Sequence, residues 1–460
     1  MKTITIVGTA ALFLTHVVPA LAAEAKPERE TVEICGKTLE LMTVEEVRKH
    51  GFPYTEVPDG ENAATWYIRG ANKLHELRDK FPDVPLEQLE HVKRHKWDPD
   101  LKELARKIDL AAPALDLYRK GGAKEKCQLP YSKTEMLVGM LLPSLGPARR
   151  ACELLAYEAR RLESKKEFGK AVDNYAVGMR LGCHYGHGRV MIDHLVGIAC
   201  IAIAGEHAFY GVYRHAYPRE ELVRFLKELG DLRDDLPDFI RAMKGERAWG
   251  LGTVDDLMEL GAAGVQELTA WTGRRAADVS PLEKRAIRII LPDRTVKKDM
   301  ARYYDRMIEM AKIPYHKPEA RVPEDKLLAQ GKPWNILAGM LLPALGKARE
   351  EAEKARVRVD LLRLAIALRI YHCDFGVYPD RLSWLVKEKI IKEVPPDPFS
   401  GKPYGYKVEK GHWTAWSVGN NFKDDGGEIG ESIFWPEAPD YGLTSKLPPE
   451  KDYRPKEGGD

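Results

Sequence analysis

Between Asn62 and Ala311, more than half of the chain, apolar residues return every third or fourth position. Ala64, Tyr67, Ile68, Ala71, Leu74 and Leu77 share one such face, Leu101, Leu104, Ala105 and Ile108 another, and Leu222, Phe225, Leu226 and Leu229 a third. A stripe with that repeat has to be buried against other helices, so the spacing predicts a packed helical body. Ahead of it, Val32, Ile34, Leu39 and Leu41 alternate around Gly36-Lys37, the period of a small hairpin. One segment, within "VMIDHLVGIACIAIAGEHAFY", is apolar nearly all round from Leu195 to Gly205. It is shorter than the ~20 residues a bilayer requires and is expected to be a fully buried central helix. The period weakens through the Gly-rich "WGLGTVDDLMELGAAG", returns from Asp299 to Ala311, and is lost between Pro314 and Pro333, where a linker is placed.

The 72 Lys and Arg nearly cancel the 70 Asp and Glu, so no global field is available to recruit nucleic acid or an anionic membrane. The N-terminus, "MKTITIVGTAALFLTHVVPALAAEA", has Lys2, an apolar run and then Ala20-Leu21-Ala22. That is the tripartite pattern of a secretory signal, with small side chains where the peptidase must fit. Residues 1–22 are therefore expected to be removed on export to the periplasm or cell envelope, leaving no stable membrane span; a retained anchor is the alternative. Six cysteines, Cys35, Cys127, Cys152, Cys183, Cys200 and Cys373, show neither CxxC pairs nor the density of a disulfide scaffold, and no connectivity can be read from them.

The stretch "LVGMLLPSLGPAR" at Leu137 to Arg149 returns as "LAGMLLPALGKAR" at Leu337 to Arg349. The two copies lead into unlike sequences, so the repeat is a local device for launching a helix, with proline near the first turn, rather than a duplicated domain. After the first copy, Leu154, Leu155, Ala159 and Leu162 form one apolar face, the polar Glu163-Ser-Lys-Lys166 interrupts, and Phe168, Ala171, Val172, Tyr175 and Met179 form the next. Two antiparallel helices are expected. "EFGKAVDNYAVGMRL" (Glu167 to Leu181) resembles the second helix of a tetratricopeptide hairpin, with Ala159, Ala171 and Tyr175 at its packing positions. Gly178 stands where that family has alanine, and a single clear unit is present.

After the second copy, Val357, Leu361, Leu364, Leu368 and Tyr371 mark a long amphipathic helix ended by Gly376 and Pro379. A short helix about Arg381 to Lys389 is expected next, then a hairpin of Tyr404 to Val408 and Trp413 to Ser417. With "YPDRLSWL", "PPDPFSGKPYGY" and "SVGNNFKDDGG" in that order, residues 336 to 430 resemble the globular part of the major pseudopilin of type II secretion. The matching pseudopilin loop binds calcium through carboxylates and backbone carbonyls. The resemblance implies calcium as a ligand here, with Ser417 (through its carbonyl), Asn421, Asp424 and Asp425 as the candidate metal site; Asn421 replaces an aspartate of the family, and a solvated turn is the alternative. A prepilin cleavage motif and a full apolar assembly helix are both missing ahead of Ile336, so polymerisation as a pilin is not expected. The whole chain is also similar to uncharacterised exported proteins of planctomycete-like bacteria, a likeness that brings no activity.

The fold expected is therefore mainly α: a signal peptide (1–22), an N-terminal segment with a small hairpin (23–60), a multi-helix tetratricopeptide-like domain (61–313), a linker (314–333), a small α+β pseudopilin-like domain with a short antiparallel sheet (334–430) and an extended tail (431–460). The function expected is that of an exported, non-enzymatic protein that binds protein partners. An exported metal-dependent hydrolase using His184, His187 and His194 is the competing class, because imidazoles close in sequence suit zinc. The aromatic residues Trp384, Phe399, Tyr404, Tyr406, Trp413 and Trp416 are expected in the core of the small domain rather than on a sugar-binding platform. Glu246-Arg247, and Glu135 with Arg149 and Arg150, are expected to pair at the surface.

Overall fold

A computed structural model describes residues 30–261, 294–321, 345–430 and 438–453. Among these the protein is mainly α, with 12 α-helices, a two-stranded N-terminal sheet and a three-stranded antiparallel sheet near the C-terminus. The signal segment 1–22, the linker residues 322–333, the second repeat as far as residue 344, and parts of the tail (431–437 and 454–460) lie outside the described residues.

Strands β1 (Thr31–Ile34) and β2 (Lys37–Glu40) form the expected hairpin, turning through Cys35 and Gly36, both at positive φ. Helix α1 (Val44–His50) starts with a capping box between Thr43 and Glu46. The helical body comes next, in α2 (Ala63–Leu77), α3 (Leu86–Arg94), α4 (Lys102–Gly122), α5 (Leu145–Ser164), α6 (Phe168–Gly186), α7 (Met191–Arg214), α8 (Arg219–Asp234), α9 (Phe239–Leu260) and α10 (Arg294–Ala311). Asn62 begins α2 by accepting from the Ala64 N–H.

The two helices expected after the first repeat are α5 and α6, joined by a three-residue turn with Lys166 at positive φ. Ala159, Ala171 and Tyr175 are all buried between them. The polar interruption differs from expectation at one residue. Glu163 faces inward, ion-paired with the buried Arg160 and accepting hydrogen bonds from Tyr175 (3.0 Å) and Tyr217 (2.5 Å). Pro143 precedes α5, whose first residue is Leu145; α11 (Leu345–Phe375) is described from the equivalent position in the second repeat.

Helix α7 is the centre of the body, packed on α5 and α6. It is long and apolar enough to cross a membrane, yet 78% of its most apolar window is buried inside the protein. Its approach to α6 runs through glycines: a Cβ on Gly182 would lie 2.6 Å from the Gly197 carbonyl oxygen, and one on Gly197 would overlap the Gly182 carbonyl. The Gly-rich stretch in which the helical period fades is helical as far as Leu260, as the last turns of α9; residues 262–264 lie outside the described residues. Glycines hide the period there because α9 also runs close to its neighbours; a Cβ on Gly252 would overlap the Leu137 side chain.

Helix α11 ends at Gly376, in the left-handed region, whose N–H reaches the His372 carbonyl at 2.9 Å. Then come α12 (Ser383–Lys387), β3 (Gly405–Glu409), β4 (His412–Ser417) and β5 (Tyr441–Thr444), in the sheet order β3-β4-β5. The β3–β4 turn is Lys410-Gly411, both at positive φ, as a two-residue hairpin needs. Strand β5, supplied by the tail, has no counterpart in the expectation.

Helix α11 packs along α7 and α8, and one continuous core runs from Ala63 on α2 through α5 to α8 and on to Trp413 and Leu443. Asp360 of α11, fully buried, accepts from Arg233 of α8 at 2.7 Å and from Tyr404 at 3.3 Å. Tyr213 of α7 donates to the Ala365 carbonyl at 2.8 Å and meets Trp413 edge-on. Tyr315, in the first part of the expected linker, is buried against Phe399 and Phe422. The tail then returns to the helical body: Arg214 donates to the Pro448 carbonyl at 2.8 Å and pairs with Glu450.

Candidate functional site

The loop after β4 carries the four candidate metal ligands. Ser417 is buried at the strand end, where its hydroxyl donates to Asp397 Oδ1 at 2.7 Å. Asp397, in the "PPDPFSG" turn, also accepts from the Phe399 and Val418 N–H groups, so it ties that turn to the loop. Asn421 closes a short 3-10 turn and donates from Nδ2 to Asp425 Oδ2 at 2.7 Å. The other Asp425 oxygen faces Lys423 Nζ at 3.0 Å, and these donors hold its carboxyl below the usual carboxylate range. Asp424 turns the other way, accepting from Trp416 Nε1 at 2.9 Å and the Gly426 N–H at 3.0 Å.

A third carboxylate belongs to the same loop and was not anticipated. Asp440, just before β5, is buried and accepts from the Gly427 N–H at 2.8 Å and the Asp425 N–H at 3.4 Å. Burial pushes its carboxyl up, helped by the nearby charges of Asp424 and Asp425 and opposed by the two N–H donors. The sequence signal was an aspartate beside the aromatic Tyr441 in the tail, legible only once that tail is known to return as a strand. The loop thus gathers Asp424, Asp425 and Asp440 around backbone donors, but the carboxylates of Asp424 and Asp425 are turned to different partners.

The three histidines of the competing reading have separate surroundings. His184 Nδ1 is 2.7 Å from the Tyr67 hydroxyl, His187 Nε2 is 3.1 Å from the Asp235 carbonyl, and His194 Nδ1 is 3.1 Å from the Gly186 carbonyl. Burial pushes His184 and His194 down to about 4, so both rings are neutral at ordinary pH. Among the described residues no three His, Cys, Asp or Glu side chains are grouped so as to hold a metal.

Four members of the aromatic group, Phe399, Tyr404, Trp413 and Trp416, are buried, while Trp384 and Tyr406 are half-buried. The six cysteines stand as free thiols. At the expected surface pairs, Arg149 meets Glu153 and Arg247 meets Asp305, whereas Glu246 is buried and accepts from the Met191 N–H at 3.0 Å. Comparison with family models, curated proteins and solved structures returns no match for the chain.

Proposed function

We propose that this is an exported, non-enzymatic protein of the cell envelope, in which a helical scaffold carries a pseudopilin-like head and works by binding other proteins. The observation that carries this reading is the seating of α11. In a pilin-like unit the long helix is the assembly element; here the stretch Val357 to Ile370 is spent on α7, α8 and the head's own sheet. A head joined this way is a fixed surface on a scaffold rather than a polymer subunit. Export rests on the N-terminal signal pattern, and the near-balance of charge favours protein over nucleic acid as partner. The test is photo-crosslinking in the native envelope, with photoreactive residues at two exposed apolar positions, Val377 on the head and Leu86 on the scaffold. Discrete protein adducts are expected in the envelope fraction. Their absence from both positions, with the chain recovered in the cytosol, contradicts the reading.

Calcium is proposed as the ligand of the 417–427 loop, supported by the pseudopilin resemblance; Asp424, Asp425 and Asp440 lie about this loop but are not grouped to hold a metal as they stand. To accept it, Lys423 has to leave Asp425 and the two adjacent aspartates have to turn inward. Linkage predicts stabilisation of the full chain by about 2.7 kcal/mol at a hundredfold excess of calcium over Kd. Thermal melting in millimolar calcium and in chelator checks it, with Asp425→Ala as control. Identical transitions in the two buffers remove calcium from the account.

A further inference from the structure

A cleft of about 410 Å3 opens where α7, α9, α10 and α11 meet, within the range of volumes that bind small molecules or side chains of a partner. Its lining is mixed, with Ile198, Leu236, Phe239, Ile240, Ile313 and Ala352 as the apolar part. Arg349 and Glu353, one turn apart on α11, supply the polar part and pair with each other at 2.8 Å (Nη2 to Oε1). Both side chains are largely buried, Glu353 with 4% exposed, and each keeps one atom with no hydrogen-bond partner: Arg349 Nε, a donor, and Glu353 Oε2, an acceptor. Arg356 Nη1 lies 3.7 Å from that oxygen, too far for a hydrogen bond. Arg349 is held in place by the rings of Phe239 and Tyr315, 5.4 and 5.9 Å from its guanidinium carbon.

Buried polar atoms are rarely left unpaired, because each costs about 1–3 kcal/mol. The two here differ in kind and belong to one ion pair sealed beneath the cleft surface, so a ligand reaches them only if the pair turns towards the opening, and one that then satisfies both must present an acceptor and a donor. A peptide group does so through its C=O and N–H. A lone carboxylate answers Arg349 Nε but sets like charge against Glu353. At the rim, Arg356 is an exposed cation, Lys312 is exposed and shares its charge with Glu309, and the exposed carboxylate of Asp238 already spends an oxygen capping α9. The rim therefore favours acidic residues beside the apolar one that enters the cleft.

We propose that the α7–α9–α10–α11 cleft binds an extended segment of a partner protein, an apolar side chain seated between Phe239, Ile313 and Ala352, its peptide group on Arg349 and Glu353, and acidic neighbours on Lys312 and Arg356. This rests on the partner-binding reading above and gives that partner a chemistry.

The probe is a fluorescein-labelled hexapeptide, blocked at its C-terminus, with two leucines followed by two aspartates, titrated by anisotropy against the full chain. Saturable binding is expected, lost when serines replace the leucines. Glu353→Gln, which keeps the side-chain shape, weakens the peptide about tenfold, as expected for a hydrogen bond to a charged group. Ala352→Phe fills the cleft and abolishes binding while the melting temperature stays within a few degrees of the parent. Octanoate, offered as competitor, binds more weakly than the peptide and gains from Glu353→Gln. The proposal is overturned by absence of saturable binding, by peptide binding that survives Ala352→Phe, or by octanoate outcompeting the peptide. Crosslinked adducts from Val377 or Leu86 that persist in Ala352→Phe sink the cleft and leave the general reading standing; loss of all adducts with peptide binding intact sinks the general reading instead.

Discussion

At the scale of single residues, the protein holds ionisable groups in places that make its stability depend on pH in opposite senses. Glu246 is buried with a single backbone donor and no cationic partner among the described residues, and burial, aided by Asp193, pushes it up to about 7. An unfolded glutamate titrates near 4.3, so between roughly 4.5 and 7 the native state holds a proton that the unfolded chain has released. Stability contributed by this proton is present at low pH and lost as pH rises through about 7, amounting to about 3.5 kcal/mol at 1.36 kcal/mol per unit. Glu246→Gln is therefore expected to be more stable than the parent at pH 8 and nearly equal at pH 4.5, measured by urea unfolding at each pH. An equal difference at both would mean Glu246 is not protonated in the native state. The histidines act the other way. His184 and His194, pushed down to about 4, stay neutral while the unfolded chain charges near 6.5, so their contribution is lost as pH falls from 6.5 towards 4. Ring signals from both are expected to remain those of neutral imidazole at pH 5.5 by NMR; titration of either near 6.5 would contradict their burial. None of this was legible in the sequence. Charged letters at Glu163 and Glu246 read as surface because burial of a charge is decided by what packs on it from distant parts of the chain, here Tyr217 and the Met191 N–H.

At the scale of elements, period was a good guide wherever one helix face is buried and a poor one where helices touch through glycine. The α2, α8 and α10 stripes and the α5–α6 pair are read directly from spacing, and so are both hairpins, whose turns place Gly36 and Gly411 at positive φ. The end of α9 is missed because Gly250 and Gly252 remove the apolar letters from a face that is nonetheless packed. The same logic explains Gly178, the departure from the tetratricopeptide pattern: Gly178, Gly182 and Gly186 line the α6 face that α7 or the segment before α9 approaches, and a Cβ at Gly178 would meet Ala204 at 3.1 Å. Gly197→Ala, which sets a methyl against backbone of α6, is expected to destabilise by about 3 kcal/mol, the upper end for overpacking. Gly230→Ala on α8, where a Cβ meets nothing within 4 Å, is expected to stabilise by about 0.5–1 kcal/mol through helix propensity. Chemical denaturation of the two variants checks both signs; a neutral Gly197→Ala would mean that the α6–α7 contact can relax.

At the scale of the whole molecule, the helical body, the small sheet and their order could be read from the sequence, but not how they are joined. Strand β5 was hidden because "YGLT" is short, contains glycine and lacks alternation, and its partner β4 lies across a long loop. The seating of α11 was hidden for a different reason: an amphipathic helix announces that it has a buried face, not which neighbour covers it. Of the carboxylates about the candidate loop, Asp424 and Asp425 could be named from the sequence, whereas Asp440 and the structural Asp397 needed the fold to bring them there. Helix α11 builds the head into the scaffold. Calorimetry of the full chain, parent against Asp360→Ala, tests it most directly, because Asp360 is buried on α11 between Arg233 of the scaffold and Tyr404 of the head. Removing one partner of a buried pair costs about 3–5 kcal/mol. One cooperative transition is expected for the parent, moved as a whole to lower temperature in the variant. Two separable transitions, only one of them shifted by Asp360→Ala, would contradict the account.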